Sequence, residues 1–446
     1  MKLKGIIGVF VFCLGSMTAQ EKKWTLEECV YYAVENNLTI AQYELDLENA
    51  QIDKSDAIGD MLPNFNMNAR ISGNSGLVLD QSRNQQVSGT VTTASGGFGS
   101  SVNLFDGLRN IHRLNRAKLN ALANQYRLDN LKDDIMLAVA NAYLQVASNK
   151  ESLKVFRAQY AVTEQDLART EELVAAGVVP KGDLLEIQAT AANQEQQIVN
   201  GENQVLLARI NLAQLLQITD YENFDIAEED FNIPPSDILK QSPKTIFNKA
   251  LSFRNDIKFS MSNVDLAIKD LQIAKGAVYP TLGAFFNYGT QYSSEFRNPA
   301  TLERIPFTDQ LYLTDGIAYG LQLNIPVFNG FSVKNNIKRA KIGVDRSRLQ
   351  LEQDKLDLEN NINQAYVDVK SFSKAYEAAQ KTLDARRLAY NYSKERFEVG
   401  LMNAFDFSQA QSRVDNAEAE LIRTKYDYIF RVKVLEFYFG LPITLD

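Results

Sequence analysis

Few side chains in this 446-residue chain are equipped for covalent chemistry. His112 is the only histidine, which removes histidine-based triads and multi-histidine metal sites. No glycine-rich phosphate loop and no cysteine cluster occurs. Adjacent acids such as Glu171 and Glu172 sit in helix-forming sequence and read as solvated charge on an exposed face. What does recur is a carboxylate at a fixed distance after a glycine. Asp183 and Glu186 follow Gly177 by 183 − 177 = 6 and 186 − 177 = 9 positions. Asp406 follows Gly400 by 406 − 400 = 6, and Gln409 stands where the second acid would be. In the first turn of a helix such a carboxylate complements the helix dipole and the free backbone amides. The pattern offers placed charge rather than bond making, so no enzyme, cofactor or metal site is expected.

These carboxylates hang on the end of a stretch that the sequence runs twice. Phe105-Asp106-Gly107 recurs as Phe328-Asn329-Gly330, Arg116-Ala117-Lys118 as Arg339-Ala340-Lys341, Ala142-Tyr143 as Ala365-Tyr366, and Gly177 as Gly400. Each anchor is displaced equally: 328 − 105, 339 − 116, 366 − 143 and 400 − 177 all give 223. A loop would have drifted, so the stretch reads as a continuous helix. Neither copy holds a proline, and both are rich in good helix formers. At 1.5 Å per residue the helix is on the order of 100 Å long. Each copy ends at its glycine, turns through Val178 to Gly182 or Leu401 to Asn403, and returns as a second helix.

Upstream, Trp24 to Ile58 reads as one helix opened by Thr25, with Glu27 and Glu28 in its first turn. Its counterpart is Pro243 to Ala277, aligned through Ala50 with Ala267 and Gly59 with Gly276, where 276 − 59 = 217. Both copies then meet a proline, Pro63 or Pro280, where a helix stops. Beyond it the period becomes two. Phe65, Met67, Ala69 and Ile71 alternate with Asn64, Asn66, Asn68 and Arg70, and Phe98, Val102 and Leu104 alternate with Gly99, Ser101 and Asn103. Leu282, Ala284, Phe286 and Tyr288 form one further face; Tyr319, Leu321, Leu323 and Ile325 form another. These are four strands of about ten residues, the length of an outer-membrane strand. They are joined by polar loops around 81–93 and 293–309. Phe285, Tyr288, Tyr292, Tyr312 and Phe328 suit an interfacial aromatic belt and equally suit ordinary strand positions.

The organisation is therefore a secretory signal over 1–19 and a first repeat over 20–217. This repeat holds the opening helix, strand pair 62–105, long helix 108–176 and returning helix 183–216. An acid- and proline-rich linker or equatorial segment spans 218–242. The second repeat, 243–446, has strand pair 279–328, long helix 331–399 and returning helix 404–439. The signal rests on Lys2 and Lys4, the apolar run Ile6 to Leu14 and small residues up to Ala19. Its removal takes the net charge from −8 to −8 − 2 = −10, a poor nucleic-acid binder. Cys13 falls in the signal, which leaves Cys29 without an internal disulfide partner. No later apolar run is long enough for a membrane-crossing helix. Four strands are too few to close a barrel, and an open sheet edge is not tolerated in lipid. Several chains must then share one barrel, and three would supply 3 × 4 = 12 strands.

This order of elements, duplicated with these landmarks, resembles the TolC-like outer-membrane efflux proteins. The likeness runs from Trp24 to about Pro442 and is carried by the proline entries to the strand pairs. The junctions at Gly107 and Gly330, and the tip Arg396-Phe397-Glu398-Val399-Gly400 followed by Asp406, carry it too. It implies an α+β, mainly helical membrane protein that is homotrimeric. Its twelve-stranded outer-membrane β-barrel, in contact with lipid, continues into a periplasmic α-helical barrel. It also implies a channel of a tripartite efflux or secretion system, passively exporting what an inner-membrane pump and a periplasmic adaptor (membrane fusion) protein hand over. In such a trimer three Asp406 carboxylates would ring the axis and favour cations. Asp183 and Glu186 are constriction candidates of the same kind, with helix capping as their simpler role. Gly177, Val178, Val399, Gly400 and Leu401 would form apolar tips that seat the adaptor. Val139, Ala142, Tyr143 and Val146, with Ile362, Ala365, Tyr366 and Val369, would fill the helix seams. Two rivals remain. A periplasmic adaptor or scaffold would show one hairpin flanked by small β domains, and a coiled-coil adhesin would not fold back at a glycine.

Overall fold

The computed structural model describes residues 23–80, 85–228, 231, 233, 237–301 and 303–442. The expected signal at 1–19, with Cys13, lies outside the described residues. In chain order the elements are β1 (Lys23–Trp24), α1 (Leu26–Asn36), α2 (Leu38–Gly59), β2 (Asn64–Asp80) and β3 (Gln85–Phe105), then α3 (Arg109–Ala175), α4 (Lys181–Leu215) and β4 (Asp225–Ile226). The second half contributes α5 (Pro243–Phe253), α6 (Asn255–Gly276), β5 (Thr281–Ser293), α7 (Phe307–Leu313), β6 (Gly316–Asn324), α8 (Ser332–Glu398) and α9 (Ala404–Tyr438). The constant spacing in the sequence emerges as matched lengths. α3 and α8 each have 67 residues, α4 and α9 each 35.

The opening helix expected over Trp24 to Ile58 is two helices. α1 starts on a reciprocal cap in which Thr25 Oγ1 accepts from the Glu28 amide and Glu28 Oε2 accepts from the Thr25 amide. It ends at Asn37, whose extended backbone (φ −70°, ψ 123°) breaks the ladder. Asn37 Oδ1 accepts from the amides of Thr39 and Ile40, so the side chain stands in for the lost backbone carbonyls and starts α2. The second repeat breaks at Arg254, and 254 − 37 = 217, so the break belongs to the duplicated plan. There the buried Arg254 guanidinium pairs with Asp256 at 2.8 Å.

The chain forms two compact units. Of the described residues, one holds those in 23–41, 131–253 and 358–442. Its core gathers Leu26, Cys29 and Ala33 of α1, Val139, Tyr143 and Val146 of α3, Leu212 of α4, and Tyr426 and Ile429 of α9. Parts of the 218–242 stretch, expected as a linker or equatorial segment, pack on this unit, while 219–223 are exposed. β4 pairs in parallel with β1, and Phe224, Ile226 and Phe231 are buried in the same core. Tyr143 donates its hydroxyl to the Trp24 carbonyl at 3.2 Å, and its repeat mate Tyr366 donates to the Leu239 carbonyl at 3.3 Å. Each phenol finds a partner, as it must once removed from water.

The other unit holds residues 42–130 and 254–357 and carries one antiparallel sheet, ordered β2-β3-β5-β6. Asn64 pairs with Ser101 in the first hairpin and Thr281 with Asn324 in the second; 281 − 64 = 217 and 324 − 101 = 223, so the two registers are the same. β5 and β6, with 13 and 9 residues, are near the expected ten, and the first pair is longer. β2 and β3 have 17 and 21, and most of the loop expected at 81–93 is ladder, because the polar stretch from Ser72 to Gly97 satisfies its backbone across the hairpin. The second loop folds into a cap over its hairpin. Gln310 of α7 is buried, accepting from the Ser293 amide and donating to the Ile305 carbonyl. Glu295 pairs with both Arg297 and Arg304.

Candidate functional site

Two features of the structure concentrate unusual surface: the sheet and the hairpin tips. The sheet presents opposite chemistry on its two faces. Register places Met67 opposite Phe98, Phe98 opposite Tyr288, and Ala284 opposite Leu321, so one face is apolar across all four strands. Phe98 lies at its centre, 5.5 Å from Phe65, 5.3 Å from Tyr288 and 6.0 Å from Phe286 between ring centroids. Much of this face is bare: Met67, Ile71 and Tyr319 are each 79 % exposed. An exposed apolar patch of this extent has to be covered by lipid or protein. The opposite face is polar and small, with Asn64, Asn66, Asn68, Ser101 and Asn287 lining an open groove of about 580 Å³. Gly97 and Gly99 keep that face low; a Cβ on Gly97 would lie 2.4 Å from the Tyr288 carbonyl oxygen.

Pro63 and Pro280 stand just before β2 and β5, where each helix gives way to strand. At the other end of each pair the chain re-enters helix through two consecutive left-handed residues, Gly107 (φ 74°) with Leu108 (φ 64°), and Gly330 (φ 60°) with Phe331 (φ 64°). For Leu and Phe this conformation costs about 1–2 kcal/mol each. A Cβ on Gly107 would fall 2.2 Å from the Gly276 carbonyl oxygen, so the backbones of the two repeats touch there.

At the tips the long helices end in one motif twice. Gly177 (φ 74°) and Gly400 (φ 77°) take the left-handed cap. Val178 N donates to the Leu173 carbonyl at 2.9 Å and Leu401 N to the Arg396 carbonyl at 2.8 Å, closing the last turns. Val178, Val399 and Leu401 are 70 %, 68 % and 70 % exposed. Beneath the second tip Phe397 stacks on Phe407 at 4.5 Å, and Tyr390 on Phe407 at 5.7 Å, which stiffens the base of an apolar point.

The acids expected at these tips divide. Asp406 lies exposed in the first turn of α9, where Asn403 Oδ1 accepts from its amide at 2.8 Å and its Oδ2 accepts from Asn403 Nδ2 at 3.0 Å. Gln409 accepts from Arg413 Nη2 instead of adding a second acid. Asp183 is half-buried in the first turn of α4, and its Oδ1 accepts from the Ala404 amide at 3.4 Å. It therefore ties the start of α4 to the start of α9. Glu186 is half-buried beside it. Asn403, which the sequence offers as the start of the returning helix, is the capping partner here. Sequence reasoning missed a buried polar ladder further along the hairpins. There Gln411 Nε2 donates to Thr163 Oγ1 at 2.8 Å and Gln194 Nε2 donates to Asp415 Oδ2 at 3.1 Å. Burial, with the nearby charge of Glu418, pushes the Asp415 carboxyl up to about 6 against the pull of the Gln194 bond. An acid among Val414, Ala417 and Leu421 on α9 was the signal available.

A sequence profile described as outer membrane efflux protein matches residues 30–216 and again 246–440, once per repeat. The chain belongs to this family. Members of the outer membrane efflux protein family are outer-membrane channels of Gram-negative bacteria, a family of transport channels and not of enzymes. It is 23 % identical over 307 residues to the outer membrane protein TolC of Vibrio cholerae, covering 67 % of this chain and 66 % of that one. It is 22 % identical over 331 residues to the alkaline protease secretion protein AprF of Pseudomonas aeruginosa, covering 74 % of this chain and 66 % of AprF. The chain thus spans just under two thirds of the length of both relatives. In fold it matches the CmeC outer membrane channel of Campylobacter jejuni with a TM-score of 0.79 at 18 % identity, over 93 % of this chain and 85 % of CmeC. Both repeats of this outer membrane efflux protein are accounted for, and the adaptor reading loses its support.

Proposed function

We propose that this chain is the outer-membrane channel of a tripartite efflux or secretion system, assembled from three copies and passive in itself. The observation that carries the proposal is the two-faced, open-edged sheet. One face is apolar and bare, the other polar, and β2 and β6 end the sheet without a neighbour among the described residues. In lipid every strand edge must be paired. Three copies supply 3 × 4 = 12 strands, with the apolar face toward lipid and the Asn- and Gly-rich face toward a water-filled lumen.

The long helices of three copies would wall a periplasmic conduit. Its tips, bare at Val178, Val399 and Leu401, fit a periplasmic adaptor whose own apolar surface would cover them, and through it an inner-membrane pump. Three Asp406 carboxylates around the axis would make the periplasmic entrance prefer cations. Asp183 serves the hairpin first, because its carboxylate is engaged with the Ala404 amide. The names of the relatives, efflux and protease secretion among them, span different cargoes, which fits a duct whose selectivity resides in the pump. The mass of the detergent-solubilised complex tests the assembly: three copies are expected, and a stable monomer that never enters bilayers would overturn it. Ion conductance in planar bilayers tests the channel.

A further inference from the structure

Between Asn64 and Asn74, and on the strands paired with that span, Arg70 is the one charged side chain among the described residues. On β2 the polar face runs through Asn64, Asn66, Asn68, Arg70, Ser72 and Asn74. The residues that share this face on β3, β5 and β6 are Asn, Gln, Ser, Thr, Gly, Ala, Val and Phe alone. The opposite, apolar face holds no charge over the same span. A single guanidinium therefore stands in a sheet that is otherwise neutral on both sides.

The register also gives that guanidinium its surroundings. Arg70 lies opposite Ser95, and Ser95 opposite Gln291. At this height β6 has already ended, its last pair being Gly316 with Gly289. The chain after α7 replaces it, with Thr314 Oγ1 accepting from the Gln291 amide at 3.0 Å. Arg70, Ser95, Gln291, Ser293, Gln310 and Thr314 thereby line a cavity of about 360 Å³. Several of its polar groups are already engaged. Gln310 is held by the Ser293 amide and the Ile305 carbonyl, and Ser72 shares a 2.9 Å hydrogen bond with Thr93. Glu295, the other charged residue of the lining, pairs with Arg297 and Arg304. The side chains of Arg70, Ser95 and Gln291 have no hydrogen-bond or ion-pair partner among the described residues. A planar cation flanked by an unengaged hydroxyl and an unengaged amide is a donor set suited to an oxyanion.

We propose that Arg70 makes this cavity a site for small multivalent oxyanions, phosphate and sulfate groups among them, and sets the charge preference of the lumen at that height. The inference rests on the channel reading above, in which the polar face lines the water-filled passage. Three copies would place three Arg70 guanidiniums around that passage, and no carboxylate between Asn64 and Asn74 or on the strands paired there opposes them. Rings of basic side chains favour anions. Neutral walls leave their field to be damped by mobile ions alone, over about 10 Å at 0.1 M salt. Asp406 belongs to the other compact unit and acts in the other sense, so each charge can be removed without touching the second.

The test is single-channel recording of the full chain in planar bilayers of neutral lipid, with inorganic pyrophosphate as the probe. Pyrophosphate should block the unsubstituted channel. Arg70→Gln should raise its half-blocking concentration about tenfold, the worth of one charge-assisted contact, and should shift the reversal potential in a KCl gradient toward cations. Arg70→Lys keeps the charge and should keep the reversal potential and most of the block. Gln291→Leu, a neutral exchange, should weaken the block and leave the reversal potential in place. Equal half-blocking concentrations in the unsubstituted and Arg70→Gln channels would overturn the site while leaving the channel reading standing. A protein that inserts and passes no current would overturn both.

Discussion

Replacing Asp415 with asparagine should strengthen the hairpin unit at neutral pH, which is unusual for a change to a buried, hydrogen-bonded residue. Asp415 is 8 % exposed, its carboxyl accepts from Gln194, and Glu418 and Tyr390 are ionisable neighbours. Burial raises its pKa from 3.8 to about 6 in the folded protein. Between those two values the folded state binds more protons than the unfolded one, so this group's contribution to stability falls as pH rises from about 4 to about 6. Above that window the folded state carries the full burden of a buried anion, and below it none. A displacement of this size corresponds to about 3 kcal/mol, and rehydration around a polar partner brings the expected gain to about 1–3 kcal/mol. The amide introduced by Asp415→Asn would keep an acceptor for Gln194 Nε2 and offer an N–H to Gln194 Oε1, which is buried without a hydrogen bond. Hydrogen exchange of the α4 and α9 amides near Gln194 and Asp415, measured from pH 4 to 8, provides the assay. After correction for intrinsic rates, protection in the unsubstituted protein should fall across the window. In Asp415→Asn it should stay level and be higher at pH 7. Parallel pH profiles, or weaker protection in the variant at pH 7, would refute the reasoning.

Asp406→Asn should lower cation selectivity in single-channel records while costing the α9 start no more than about 1 kcal/mol, since Asn403 still caps the helix; unchanged selectivity would end the pore role. Leu401→Asp should abolish export in cells and leave the mass of the complex in detergent unchanged. A cysteine scan through Leu401 that traps no periplasmic partner would count against tip docking. Gly107→Val should cost several kcal/mol, because it combines a positive φ with a Cβ 2.2 Å from the Gly276 carbonyl oxygen. Gly330→Val has the same φ problem without the intrachain clash, and equal folding yields of the two variants would show that the close approach at Gly107 is not needed.

Much of this architecture was legible because helices keep count. Four anchors displaced by 223 positions gave α3 and α8 to within a residue at each end, and the left-handed glycines followed from Gly177 and Gly400. The period-two stretches gave the two faces of the sheet, since Phe65, Phe98, Tyr288 and Leu321 do share one side. Strand length was hidden because glycine, serine and threonine between Ser72 and Gly97 carry no alternation, while their backbones pair regardless. The break at Asn37 was written in an Asn-Asn-Leu-Thr run that also suits a continuous helix; only the side-chain bonds to Thr39 and Ile40 decide it. Left-handed Leu108 and Phe331 run against the preference of their side chains. The Asp183 bond to Ala404 joins residues 404 − 183 = 221 positions apart, a distance that no local pattern spans.

The two hairpins share one register at their base yet differ in length, with 107 − 59 = 48 positions between the flanking glycines of one and 330 − 276 = 54 between those of the other. The surplus sits beyond Ser293, in the stretch where α7 folds down, while the first hairpin rises there as a plain ribbon. The six extra positions, 54 − 48 = 6, therefore leave the paired bases of the two hairpins in the same register. In the trimeric channel proposed above, anything that grips the protein from outside the cell would meet the plain and the lidded hairpin by turns, and so could tell apart two repeats whose strand bases are alike.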